Sequence, residues 1–474
     1  MALYKNLDSI QDIFQEGNVI DGFRIGHPIH RGGMAVLYQA TKEGVDYPIL
    51  MKVPRIGRDQ PVESLIGFET ELNIMRSLNS PYVPRIAGTG NISSKPYIAM
   101  EHLEGVSLDK IIEEEGGRID DIEKIIEIVS NIATAIGTLH AQDVIHLDVK
   151  PENILIQPNN GIALIDFGLA HHSRYPDLLQ EAMIKGIGSA PYISPEQIMG
   201  IRNDWRSDIF SIGALLYEML TGEHPFGSPS SVSGLRKRMW SEPLPPRALR
   251  KEIPPWLQEV VLRCLEPLAD ERYQNAKRLG HILKNPQSIQ LTERSEKIYP
   301  NSPWVNIKRW LKAAGYQPSE CPRPSNAHDN APVLVVAIDT RQHDEVLRSK
   351  MQNAAQHLLQ AYPESRIICL STIFSTPTFE GNDETQTASG IVRNHLAQLM
   401  EWAKPLKMPT ERVSFHVLEA IDPATRIIEF ANDNHASMIM IGASHKIPNK
   451  VAPWRTSMTK IVEEASCSVH IVRT

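Results

Sequence analysis

Apolar residues in the first hundred positions come in short alternating runs. "DGFRIGHPIH" (21–30), "AVLYQAT" (35–41), "YPILMKV" (47–53) and "PYIAME" (96–101) each predict a strand. The period then changes. In 119–139, Ile122, Ile125, Ile126, Val129, Ile136 and Leu139 fall on one helical face. A strand-rich part followed by a helix-rich part predicts two lobes. Pro, Ser and Asn crowd residues 284–332, as in a linker, with "WVNIKRWLKAAGY" (304–316) predicted as one short helix packed against a neighbouring domain. Beyond it, "VLVVAID", "RIICLST", "VSFHVLEA", "SMIMIGAS" and "CSVHIVRT" are buried-type strands separated by helical spacers, the alternation of a parallel βαβ sheet. No long-period repeat is visible, which argues against a solenoid.

A chain of 474 residues exceeds one core, so two or three domains are expected. Hydrophobic content of 42% and charged content of 22% are ordinary for a globular protein. The net charge of −7 provides no basic footprint, so nucleic acid is not expected as a partner. Cys264, Cys321, Cys369 and Cys467 lack C-x-x-C spacing and read as reduced thiols rather than a disulfide frame or zinc site. The opening "MALYKNLDSIQDIF" has no apolar signal core, and the apolar runs are too short to span a bilayer. A soluble, cytoplasmic protein without membrane contact is the expectation.

The chemistry concentrates in "VIHLDVKPENILI" (144–156), flanked in order by "IHRGGMAVLY" (29–38), "ILMKV" (49–53), "FETELNIMRSL" (68–78), "IDFGLA" (165–170), "GSAPYISPEQ" (188–197) and "SDIFSIGALLYEMLTGEHPF" (207–226). This ordered set resembles a protein kinase of the bacterial serine/threonine type, over roughly residues 20 to 285. The resemblance implies an α+β bilobal kinase fold over 19–285, after an N-terminal segment 1–18 and before a linker 286–331. It implies transfer of the ATP γ-phosphoryl group to a protein serine or threonine, with Mg²⁺ or Mn²⁺ in its place. Lys52 would hold the inner phosphates, oriented by Glu71 rather than Glu69, and Asn153 and Asp166 would supply hard oxygen ligands to the metal. Asp148 would orient the substrate hydroxyl beside Lys150. Lysine two places after the aspartate, with Ser189 in the following loop, matches serine/threonine rather than tyrosine kinases. Gly32, Gly33 and Met34 would cover the phosphates, and Met100, Glu101 and Leu103 belong to the hinge that reads adenine. Glu196 with Arg272 matches a buried ion pair, and Asp208 would bind the catalytic-loop backbone.

Two departures stand out. The G-x-G-x-x-G loop reads His30-Arg31-Gly32-Gly33-Met34-Ala35, keeping only the middle glycine, the one most needed where a backbone amide approaches a phosphate. Leu147 replaces the arginine that, in relatives, receives an activation-loop phosphate. Between Gly168 and Gly186 only Ser173 and Tyr175 are acceptors, so loop phosphorylation is not expected to switch the enzyme, and Leu147→Arg is expected to change little. The competing reading is a pseudokinase scaffold, which usually lacks one of the lysine and aspartates present here. His171 and His172 read as an exposed pair rather than a metal site, lacking further ligands.

Residues 332–474 resemble a universal stress protein domain, an α/β doubly wound parallel sheet. A first strand ends at Asp339, and a later one at Gly442 precedes a loop and the "TSMTKIVEEA" helix that begins near Ser457. These three residues are the candidate ligand site at the carboxyl edge of the sheet. Two of the family's three nucleotide-loop glycines are replaced, so regulation, ligand sensing or homodimerisation stands beside nucleotide binding as the role expected here.

Overall fold

The computed structural model describes residues 13–33, 35–55, 62–90, 95–173, 177, 179, 189–229, 231–299, 303–313, 332–340, 344–363, 365–374, 388–408, 412–434, 436–443 and 453–474. The chain divides into two compact units, one reaching Ser325 and the other beginning at Asn326 apart from three residues near 176.

In the first unit the alternating runs form a six-stranded antiparallel sheet: β1 (Val19–Ile20), β2 (Phe23–Arg31), β3 (Ala35–Lys42), β4 (Ile49–Pro54), β5 (Ile86–Thr89) and β6 (Ile98–Glu101), in the order β1-β2-β3-β4-β6-β5. Its alternate residues Phe23, Ile25, Val36, Tyr38, Met51 and Val53 make one core with Tyr97. Phe14 enters the same core, stacked on Tyr38 and edge-on to Tyr97. The small lobe therefore begins upstream of residue 19, because one fully buried ring outweighs the polar character of its flanks. The helix α1 (Val62–Ser77) crosses between β4 and β5 and carries Glu71.

The larger lobe is built on α2 (Ile122–His140), whose Asp121 caps the amides of Glu123 and Lys124. The predicted apolar face is buried, and so are Ile128, Ile132 and Ala135, because the helix is packed on several sides. It contacts α3 (Arg206–Thr221), which is buried over nearly its whole length and closes on left-handed Gly222. The lobe also holds the short strands β7 (Val106–Ser107), β8 (Val144–Ile145), β9 (Ile154–Ile156), β10 (Ile162–Leu164) and β11 (His171–His172). β9 pairs with β7 and β10, and β8 with β11, which holds the catalytic loop between two small antiparallel sets.

The expected linker is partly structured. Thr292 bonds Glu259 of α4 (Pro255–Cys264), Arg294 pairs with Glu266, and Lys297 with Glu242. The predicted helix is present as α5 (Pro303–Ala313), attached through Arg309 to Glu242 and Glu266, while Trp304, Ile307 and Leu311 stay exposed. Among its described side chains the attachment is made by the Arg309 guanidinium.

The second unit is a five-stranded sheet, β12 (Val333–Ala337), β13 (Arg366–Phe374), β14 (Val413–Ala420), β15 (Met438–Ala443) and β16 (Ser468–Arg473), ordered β14-β13-β12-β15-β16 with every neighbour parallel. Leu334 and Val336 pack under α6 (Glu345–Ala361) and α7 (Ala388–Ala403); Val335 and Ala337 pack under α8 (Pro423–Asp433) and α9 (Pro453–Glu464). Both faces are covered, as a sheet of all-parallel strands requires. No helix among the described residues is long and apolar enough to cross a membrane.

Candidate active site

Lys52 sits on β4, paired across to Ile98 of β6 and Leu37 of β3, so its side chain is held by two neighbouring strands. Its ammonium donates to both oxygens of Glu71, at 2.8 and 2.6 Å, and lies 3.4 Å from Asp166 Oδ1. Burial opposes the lysine's charge, but the Glu71 and Asp166 carboxylates prevail and raise its pKa above the ordinary value. Glu69, two residues away on α1, is not joined to Lys52; burial alone pushes its carboxyl up to about 7. Helical spacing explains the choice, since residues two apart point to different faces.

Asp166 adopts a left-handed backbone (φ +65°), rare for a residue with a Cβ, and its Oδ1 accepts the Gly168 amide at 3.3 Å. Lys52 holds its half-exposed carboxyl below the usual carboxylate range. The amide of Ile165 donates to the Asn153 carbonyl at 3.0 Å, bringing Asn153 beside Asp166. Asn153 commits its Nδ2 to the carbonyl and Oδ2 of Asp148, both at 2.9 Å. Its side-chain oxygen is then the atom it offers a cation. One carboxylate plus one amide oxygen suits Mg²⁺, which keeps waters and takes further oxygens from phosphates.

Asp148 is the centre of a second network. Its Oδ2 lies 2.8 Å from Lys150 Nζ, its Oδ1 accepts the Ser189 hydroxyl at 3.2 Å, and Lys150 donates to Ser189 Oγ at 2.9 Å. Burial works against the Lys150 charge, yet Asp148 raises its pKa. A carboxylate and an ammonium converging on one hydroxyl can orient that group and neutralise charge developing beside it.

The backbone here is pinned from both sides. Leu147, also left-handed (φ +59°), donates its amide to Asp208 Oδ1 at 2.8 Å, and His146 donates to Oδ2 at 2.9 Å. Gln197 Nε2 donates to the Leu147 carbonyl at 2.8 Å. This role of Gln197 was missed in sequence; its S-x-x-Q spacing signals the capping box it forms with Ser194, not the second bond. Glu196 meets Arg272 in a fully buried ion pair.

At the hinge, the Glu101 amide bonds Arg85 O and the His102 amide Pro48 O, each at 2.8 Å, while the Glu101 carboxylate is held by the Arg85 guanidinium. Met100 is buried against the larger lobe's core and Leu103 follows at the lobe boundary. Gly32 and Gly33 lie at the β2–β3 turn; Met34 lies outside the described residues, as do Tyr175 and most of the loop before Ser189. His171 and His172 are not the exposed pair expected: they belong to β11, paired with Ile145 and Val144, and His172 is buried because the strand pairing turns it inward.

In the second unit Asp339 follows β12 and Gly442 lies on the adjacent β15, both toward the carboxyl edge. Gly442 has a packing reason of its own: an added Cβ would fall 2.6 Å from Met351 Sδ and 3.1 Å from Leu347 Cδ2 of α6. Ser457 lies in α9, and its side chain is outside the described residues.

Residues 23–283 match the protein kinase domain model. A protein of Clostridium acetobutylicum, described as a probable serine/threonine-protein kinase, is 33% identical over 274 residues, covering 58% of this chain and 41% of the relative. The serine/threonine-protein kinase PknB of Mycolicibacterium smegmatis is 34% identical over 262 residues, and that of Mycobacterium tuberculosis 33%, each match covering 54% of this chain and 41% of the relative. The matched region is thus about two fifths of the length of these relatives. With more than half of its residues inside the model, the chain belongs to the protein kinase domain family.

Proposed function

We propose that the chain is an ATP- and Mg²⁺-dependent serine/threonine protein kinase acting on itself and on protein substrates. The joined networks of Lys52–Glu71–Asp166 and Asp148–Lys150–Ser189–Asn153 carry this reading. On it, Lys52 binds the inner phosphates, fixed in direction by Glu71. Asn153 and Asp166 hold Mg²⁺, which when bound neutralises phosphate oxygens. Asp148 accepts the hydrogen bond of the incoming hydroxyl, and Lys150 stands beside the transferring group. The hinge backbone at Met100–Leu103 takes the adenine, since the Glu101 carboxylate is already held by Arg85.

The test is phosphate incorporation from labelled ATP with Mg²⁺, compared with Asp166→Ala. Incorporation abolished by the substitution is expected. Nucleotide binding without turnover in the wild type would favour a pseudokinase scaffold instead.

Control of the enzyme is proposed to reside outside the activation loop. Leu147 is 2% exposed and offers no cation to a loop phosphate. An arginine there would have to place a longer, charged side chain where a leucine is already buried. Leu147→Arg is therefore expected to cost about 1–3 kcal/mol of stability without raising activity, read by thermal melting beside incorporation.

The second unit, whose sequence resembles universal stress proteins, is proposed to regulate or assemble the kinase. Its own closed core supports a separable role. A Cβ at position 442 would press on Met351 and Leu347, so the glycine has a packing reason beside the proposed ligand one. Removing residues 332–474 is expected to change basal autophosphorylation. Unchanged autophosphorylation with lost substrate use would make the unit a recruiting arm.

A further inference from the structure

The loop that should cover the phosphates lacks two of its three glycines, yet its Gly32 is held at both backbone groups. The Gly32 amide donates to Ala35 O at 3.0 Å, and the Gly32 carbonyl accepts from Arg55 Nη1 at 3.3 Å. A Cβ on Gly32 would sit 3.3 Å from His30 Nε2 and 3.4 Å from Ala35 O, so the His30 ring closes the remaining side. Both backbone polar groups of Gly32 are thereby fixed. Beside it, a Cβ on Gly33 would meet nothing within 4 Å, leaving that side open for a ligand to approach.

Arg55 directly follows β4, three residues after Lys52. We infer that Arg55 is a positioning residue: it braces the glycine-poor phosphate loop from the strand that holds Lys52. Where G-x-G-x-x-G leaves a pliable loop to be ordered by nucleotide, this loop is ordered in advance by a side chain. Pre-ordering removes part of the entropy that binding otherwise loses. The guanidinium suits the task because it remains charged and presents several donors, so it keeps the carbonyl while the loop settles on phosphates.

This inference rests on the kinase reading, and the two fail differently. Calorimetry on the full chain would compare wild type with Arg55→Ala, using adenosine, ADP and a non-hydrolysable ATP analogue, the nucleotides with Mg²⁺. Arg55 is exposed, so melting temperature should stay unchanged. The expected result is a Kd raised about 3–10-fold for both nucleotides, consistent with one exposed hydrogen bond, and no change for adenosine. In steady state the loss should fall mainly on KM for ATP. Equal nucleotide affinities in the two proteins would overturn the inference. Weakening confined to the triphosphate would also overturn it, making Arg55 a direct ligand of the terminal phosphate. A wild type that binds neither nucleotide would sink the kinase reading and this inference with it.

Discussion

Asp148→Asn is expected to lower phosphoryl transfer by on the order of 10²–10⁴-fold while leaving the fold intact. The substitution is nearly isosteric, but it replaces an acceptor oxygen by a donor nitrogen. In the native site Oδ2 receives Asn153 Nδ2 and Lys150, and Oδ1 receives Ser189. An amide satisfies at most one of these sides as an acceptor, and it cannot take up the proton of an attacking hydroxyl. The decisive pair of measurements is labelled-phosphate incorporation and a melting curve on the same preparation. Activity within twofold of wild type would remove Asp148 from the reaction. A collapsed melting temperature would reveal a structural role instead.

Arg272→Ala should have the largest effect on stability, about 3–5 kcal/mol, because it leaves a buried carboxylate without its cation. Arg272 is 1% exposed, as is Glu196, and its guanidinium also bonds the carbonyls of Glu266, Arg206 and Pro267 at 2.7, 2.9 and 3.0 Å. Glu196 then keeps only the Ser207 hydroxyl of these bonds, and three carbonyls each lose a charged donor. In a unit of this size the melting transition should drop by on the order of 10 °C. Arg272→Lys is expected to recover little, since one ammonium cannot reproduce the planar fork. A shift under 2 °C would mean that water or a rearranged neighbour compensates the glutamate. Activity should fall along with stability, because Gln197 next to Glu196 holds the Leu147 carbonyl.

Residues that act through short, ordered signatures were legible in the sequence. Lys52, Asp148, Asn153 and Asp166 each stand in a local motif, and Glu71 could be chosen over Glu69 because its spacing to "LNSP" matches the pattern of the kinases this sequence resembles. Less legible were positions whose meaning depends on what meets them in space. Phe14 gives no sign in "QDIFQEG" that it will lie between Tyr38 and Tyr97. Arg55 resembles any solvated cation until the loop is folded over it. Gly442 has two readings that the sequence does not separate, since a strand ending in glycine looks the same whether the space is kept for a ligand or for Met351. The α5 helix shows a different limit. Its helical character was visible, but not that Arg309 would tie it to Glu266. Periodicity specifies that two faces differ, not which one a neighbour will select.

The Asp208 contacts have a consequence for synthesis. The carboxylate that fixes the His146 and Leu147 amides lies 62 and 61 residues further along the chain. At about 5–20 residues per second, a ribosome takes roughly 3–12 s to travel that distance. Throughout that interval the emerging segment has Asp148 but not the carboxylate that clamps the two residues before it. The Arg272 brace arrives later still. The clamped backbone at His146 and Leu147 therefore cannot form until Asp208 has been made.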